Sequence, residues 1–169
     1  GLASLGGVPG RFEVVSGRSD DITVVIDYAH TDDALKNLLE TARPLAQRRV
    51  ITVFGCGGDR DRTKRPLMGA VAARLSDIVV ITSDNPRTEE PARIIEEIKR
   101  GIPPASDRSA ATFAVVDRRE AIQFGISKAQ PGDLVLLAGK GHEQSQTIGG
   151  QALPFDEAPI ARDALERRR

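Results

Sequence analysis

Short apolar runs rich in Val, Ile and Leu alternate along this chain with stretches of helical periodicity, and no other feature limits the possible folds as strongly. The runs are Ile22–Ile26, Val50–Phe54, Asp77–Ile81, Thr112–Val116 and Leu134–Ala138. Most are nearly continuous in apolar character, as expected of strands buried on both faces. After the first run Thr31 is placed to N-cap a helix, with Asp32 and Asp33 favoured in its first turn. Leu35, Leu38, Leu39 and Ala42 recur on its apolar face, and Pro44 falls near its end. A second helix beginning near Pro66 is expected to bury Leu67, Val71 and Leu75. A third is expected to be capped by Thr88, with Glu89 and Glu90 at its start, Ile94, Ile95 and Ile98 as its stripe and Gly101 as the C′ residue. Asp117 and Glu120 have capping-box spacing ahead of a helix through Ala121–Lys128, which stops at Pro131-Gly132.

Strand and helix in alternation predict a Rossmann-like α/β fold, a mostly parallel sheet with helices on both faces. The chain of 169 residues suits one domain spanning its whole length. Gln146–Ile148 and Ala152–Phe155, around Gly149-Gly150, read as a short C-terminal hairpin. Ala158–Leu165 reads as a last helix before a solvated basic tail, Arg167–Arg169. Residues up to Glu13 are expected to pack as an edge strand, and Gly101–Arg108 to form a loop.

The polar residues gather at strand ends: DYAHT (27–31), GCGGDRDR (55–62), SDNPRT (83–88) and GKGHE (139–143), with Asp117-Arg118 similarly placed. In an open parallel sheet the C-terminal strand ends share one edge, so loops remote in sequence are expected to converge there. Each motif also has a plainer explanation. Gly55, Gly57 and Gly58 supply tight turns, or let backbone N–H groups approach an anion. Asn85-Pro86 is a common turn opener. Asp27 caps a turn or accepts from a ribose hydroxyl, and His30 belongs to the cap region or touches a nucleotide. Solvation accounts for Arg118 and Arg119 in a helix's first turn, and Cys56 is read as a small turn residue. The loop carrying Lys140, His142 and Glu143 is harder to explain without a ligand.

Several classes of function are disfavoured. With 24 basic and 24 acidic residues the chain carries no net charge, which speaks against nucleic-acid or membrane-surface binding. No apolar run approaches a membrane span, and no secretory signal is expected. One cysteine excludes an internal disulfide and fits a reducing compartment, the cytoplasm. The two histidines lie far apart and suggest no metal site. There is no G-x-x-x-x-G-K-[ST] phosphate loop and no G-x-G-x-x-G turn opening a helix. The absent dinucleotide turn counts against a small oxidoreductase, whereas a stand-alone zwitterion-binding module remains a rival. The first residue is Gly1, not Met, which leads us to expect that something upstream is missing.

VPGRFE (8–13), DYAHTDDAL (27–35), FGCGGDRDRTKRPLMG (54–69), DNPRTEEP (84–91) and AGKGHEQSQ (138–146), in this order, resemble the C-terminal domain of Mur ligases of the type that adds meso-diaminopimelate in peptidoglycan synthesis. The resemblance covers nearly the whole chain. VPGR and DYAH are moderately specific, whereas GCGGDRD with DNPR and GKGHE is highly so.

The resemblance implies the third domain of an ATP-dependent amide ligase, without the N-terminal UDP-binding and central ATPase domains. The phosphate loop, the Mg²⁺ ligands and a carbamylated lysine would lie in that central domain. This chain would therefore hold no catalytic residue and no metal ligand, and alone would be binding-competent at most. The implied reaction turns a carboxylate of UDP-N-acetylmuramoyl-L-alanyl-D-glutamate, held by the missing domains, into an acyl phosphate that the amine of diaminopimelate attacks. Within the run Asp84, Asn85, Pro86 and Arg87, the resemblance gives Asn85 and Arg87 the carboxylate at the far end of diaminopimelate. It gives Glu143 and the Gly139 backbone the neighbouring amine, and Arg60 the other carboxylate. Arg11, Asp27, Tyr28 and His30 correspond to positions near ATP. Asp32, where the family usually has proline, and Ser145, where it often has tyrosine, are the departures; the second leaves the contacts beyond Glu143 open.

Overall fold

The computed structural model describes residues 8–106 and 109–169, in which strand and helix alternate in the expected order. Residues 1–7 of the opening segment and residues 107–108 of the Gly101–Arg108 loop lie outside the described residues. The elements are β1 (Glu13–Val14), β2 (Thr23–Asp27), α1 (Asp32–Ala42), β3 (Val50–Phe54), α2 (Lys64–Leu75), β4 (Ile78–Ile81), α3 (Pro91–Lys99), β5 (Ala111–Ala114), α4 (Arg118–Lys128), β6 (Leu134–Ala138), β7 (Ser145–Ile148), β8 (Gln151–Pro154) and α5 (Glu157–Glu166). Pro44 falls in a 3₁₀ turn, Arg43–Leu45, directly after α1.

Six strands form one sheet in the order β1-β2-β6-β3-β4-β5. All its pairings are parallel except that of the edge strand β1 with β2. β7 and β8 form a separate antiparallel hairpin. Alternate side chains of each central strand enter opposite cores, as the two-residue strand period requires. On β6, Leu134, Leu136 and Ala138 pack with α1, α2 and α3, while Val135 and Leu137 pack with α4 and α5. This is the three-layer arrangement that the continuous apolar runs predict.

Several local expectations are corrected. α2 buries Arg65, Met68, Gly69 and Ala72, while Leu67 is 51% exposed and Val71 and Leu75 only border the core. Period alone does not say which side of a helix meets the sheet, and here Gly69 lets α2 approach the Ile98 carbonyl. Thr88 does not cap α3: Glu90 holds the N-cap position, and the Thr88 hydroxyl donates to Asp59 instead. Gly101 holds the C′ position after the C-cap Arg100, as expected, but outside the left-handed region; a Cβ there would stand 1.7 Å from the Pro66 carbonyl oxygen, so close approach is what requires glycine. Arg118 is buried rather than solvated. The basic tail is tied down as well. Arg168 donates to the Ile126 and Ala129 carbonyls at the end of α4 and pairs with Asp21, and Arg169 pairs with Asp20. No described helix is long and apolar enough to cross a membrane.

Candidate functional site

The strand order places β2, β6, β3 and β4 side by side and parallel, so the loops leaving their C-terminal ends line one edge. Strand spacing sets that edge at about 14 Å across. A cavity of about 310 Å³ opens there. Tyr28, His30 and Thr31 line it from the loop after β2, and Cys56, Gly57, Arg60 and Asp61 from the loop after β3. Asp84, Asn85 and Arg87 come from the loop after β4, and Gly139 and Glu143 from the loop after β6. Arg60, Arg87 and Glu143, remote in sequence, thus share one crevice. Pro86 does not line it; its carbonyl accepts from Glu89 N and faces Gly58.

None of the glycines of GCGG is in the left-handed region, and Gly55 and Gly58 are required by close backbone approach. A Cβ on Gly55 would lie 2.1 Å from the Thr82 carbonyl oxygen, and one on Gly58 1.8 Å from that of Pro86. They are small because the SDNPR backbone runs against them, with Gly58 N donating to Asn85 O at 2.8 Å. Asp59 carries the positive φ of this loop, +54°, and its carboxylate is held by Thr88. Arg87 is also left-handed, at φ +52°. Thr147 O accepts from Arg87 N at 2.9 Å and Gly149 N donates to Arg87 O at 2.8 Å, so β7 fixes this unfavourable conformation. Arg87 Nη1 donates to Gly58 O at 2.9 Å, which aims the rest of the guanidinium from a fixed base.

Asn85 Oδ1 accepts from Lys140 Nζ at 2.9 Å and from Thr147 N at 3.0 Å, and Nδ2 donates to Glu143 Oε2 at 3.1 Å. Glu143 Oε1 has no protein partner among the described residues. Cys56 is buried against Met68, and burial, with Asp84 nearby, pushes its thiol up to about 12, so it is no nucleophile. Ser145, the family departure, is exposed and pairs with Pro154 in the hairpin, away from the cavity lining.

A second cavity, about 440 Å³, lies across a wall formed by Tyr28 and His30, which line both. Arg11, Asp27, Ala34 and Leu38 line it too, and the Arg11 guanidinium sits 5.9 Å over the Tyr28 ring. Asp27 accepts from Phe12 N and Ala29 N, both at 2.8 Å, so its turn-capping role is realised. His30 Nδ1 donates to the Tyr28 carbonyl at 2.9 Å, which fixes its ring beside Tyr28.

Beneath the first cavity lies a charged layer that sequence reasoning did not assign. Arg65 donates to Gly57 O and pairs with Glu89 and Glu97. Arg118 pairs with Glu157 and donates to Ser83 O and Ala138 O, both at 3.0 Å, holding the residues just before Asp84 and Gly139. An arginine at helical spacing looks like a solvated face, and only its packing partner shows otherwise. Arg62 and then Arg65 hold the Glu97 carboxyl down to about 2 from its usual 4.5. A depressed carboxylate stabilises the fold above its unfolded value, and that contribution is lost as pH falls from 4.5 toward 2. Glu97→Gln is therefore expected to lower stability at pH 7 and to flatten the acid limb, as read by unfolding midpoints between pH 7 and pH 2.

Residues 10–141 match the Mur ligase, glutamate ligase domain family. The chain is 54% identical, over its whole length, to the UDP-N-acetylmuramoyl-L-alanyl-D-glutamate–2,6-diaminopimelate ligase of Gloeobacter violaceus, of which it covers 34%. It is 58% identical over 96% of its length to the ligase of the same name from Synechococcus elongatus, covering 32% of that protein. A solved structure of a ligase of this name superposes with a TM-score of 0.86 at 45% identity, over 97% of this chain and 33% of the other. The chain thus spans about a third of the length of the curated relatives it matches. With its sheet, its loops and its motifs all accounted for in this way, the chain belongs to the Mur ligase C-terminal, glutamate ligase domain family.

Proposed function

We propose that this domain presents meso-diaminopimelate and closes over ATP in an ATP-dependent ligase that adds that amino acid to UDP-N-acetylmuramoyl-L-alanyl-D-glutamate. The observation that carries the reading is the gathering of both charges on one cavity: Arg87 and Arg60 line it together with the acids Asp84 and Glu143. An amino-acid end carries a carboxylate and an ammonium on one carbon. The guanidinium edge left free by Gly58 O takes the carboxylate, and the unpartnered Glu143 oxygen takes the ammonium. Arg60 binds the second carboxylate. The cavity behind Tyr28 and His30 offers ring faces and an apolar floor to a nucleotide base.

The domain's part in the reaction is orientation of the attacking amine and exclusion of water on closure. Phosphate activation and Mg²⁺ binding belong to the remainder of the protein.

Lysine has the distal amine but lacks the adjoining carboxylate, which leaves Arg87 without its ionic partner. Calorimetric titration of the full-length ligase is expected to favour meso-diaminopimelate over lysine by about 10⁴-fold or more. Arg87→Ala is expected to raise the KM for diaminopimelate far more than that for ATP. Equal affinity for the two amino acids, or equal losses for both substrates, would refute the assignment.

A further inference from the structure

We propose that Lys140 is the positioning residue of the amino-acid site: its buried ammonium fixes the orientation of Glu143 and Asn85, through which it acts on the ligand. The proposal rests on the function inferred above and extends it to a residue that does not line the cavity. Of the lysines among the described residues Lys140 alone is buried, at 0% exposure. Its Nζ lies 2.9 Å from Asn85 Oδ1, 3.2 Å from Glu143 Oε2 and 3.8 Å from Asp84 Oδ1. The Phe155 ring lies 6.0 Å away. A buried ammonium requires such partners, because each unpaired donor would carry a desolvation penalty.

The geometry makes Lys140 more than a counter-ion. With Lys140 Nζ and Thr147 N both donating to Oδ1, the Asn85 amide has one permitted orientation, and its Nδ2 must face Glu143. Glu143 Oε2 receives both Asn85 Nδ2 and Lys140 Nζ, which leaves Oε1 for the ligand. Gly139 and Gly141, at φ +119° and +56°, turn the chain so that Lys140 points inward while Glu143, three residues on, borders the cavity. Charge balance follows the same logic. Asp84 and Glu143 against one ammonium leave a single negative charge, matched to one ligand ammonium. Without Lys140 two carboxylates repel and Glu143 loses its anchor.

The test uses the full-length ligase in a double-mutant cycle of Lys140→Met and Glu143→Gln, with KM for diaminopimelate and for ATP measured in each form. Lys140→Met alone is expected to raise the diaminopimelate KM about 10- to 100-fold. The ATP KM should stay within about twofold, and in the Glu143→Gln background the further loss should also be within about twofold. Additive losses, or parallel rises for both substrates, would reduce Lys140 to a packing role and overturn the proposal. Should Lys140→Met not fold, Lys140→Gln takes its place in the cycle because it keeps neutral donors at the site. Failure of both variants to fold would likewise assign Lys140 to folding alone. Wild-type enzyme that does not distinguish diaminopimelate from lysine would instead show that the functional reading itself is wrong.

Discussion

Arg118→Met is expected to lower the unfolding free energy by about 3–5 kcal/mol at neutral pH, because it strands a buried carboxylate. Arg118 and Glu157 are both fully buried, with Arg118 Nη2 and Glu157 Oε1 2.5 Å apart. Removing the cation leaves Glu157 with no ionic partner at that distance, and its Oε2 is already unpaired. It also orphans the Ser83 and Ala138 carbonyls, each worth roughly 1–3 kcal/mol when buried without a donor. Burial pushes the Glu157 carboxyl above its usual 4.5, against the pull of Arg118. A carboxyl raised in the folded state penalises stability above its unfolded value, and the penalty is relieved as pH falls toward that value. Urea unfolding of Arg118→Met should therefore recover part of the loss between pH 7.5 and pH 5. A variant as stable as the parent at neutral pH, with no recovery in acid, would contradict this account. Adding Glu157→Gln to Arg118→Met should restore the charge component but not the two carbonyls.

Gly58→Ala is the second large effect, and here the cost is steric. The new methyl carbon would sit 1.8 Å from Pro86 O and 2.6 Å from its carbonyl carbon, both backbone atoms that cannot rotate aside. The loops after β3 and β4 must part, at a cost of about 1–3 kcal/mol or more. Separation also breaks Gly58 N to Asn85 O and moves the Gly58 carbonyl that holds Arg87. On the function proposed above, misplacing the guanidinium by an ångström in the full-length protein is expected to cost about 10²-fold in the kcat/KM for the amino acid. Gly149→Ala makes the informative contrast. Gly149 has open space around it but φ +58°, so its penalty is local strain of about 1–2 kcal/mol, with the cavity lining left in place. Equal effects of the two substitutions on amino-acid KM would argue against loop packing as the support of the site.

The parts of the fold visible in the sequence are those governed by short-range rules. The apolar runs at Val50–Phe54 and Leu134–Ala138 became strands within those same bounds, because burial on both faces selects near-continuous apolar runs; the one hydroxyl, Thr52, is buried with a partner in Ser76. Thr31 and Asp117 cap α1 and α4 as predicted, accepting from Ala34 N and Glu120 N, since an N-cap is decided within three residues. The misses share a different origin. α2 presents Arg65 and Met68 to the interior rather than Leu67, and Thr88 serves Asp59 across a loop boundary, because in each case the deciding atom lies in another segment.

The site divides along the same line. The sequence alone fixed the class of fold, the sheet edge at which the polar loops collect and the residue types available there, since strand direction and loop position follow from element order. Tertiary structure decided which charges face the cavity and which lie beneath it. Lys140, read with its loop as ligand-facing, and Arg118, read as solvated, proved to be buried supports, whereas Arg87 and Glu143 border the cavity and keep atoms without a protein partner among the described residues. The physical reason is that a long charged side chain is committed by whatever acceptor lies within about 3 Å of its tip, and that acceptor is supplied by another strand or helix.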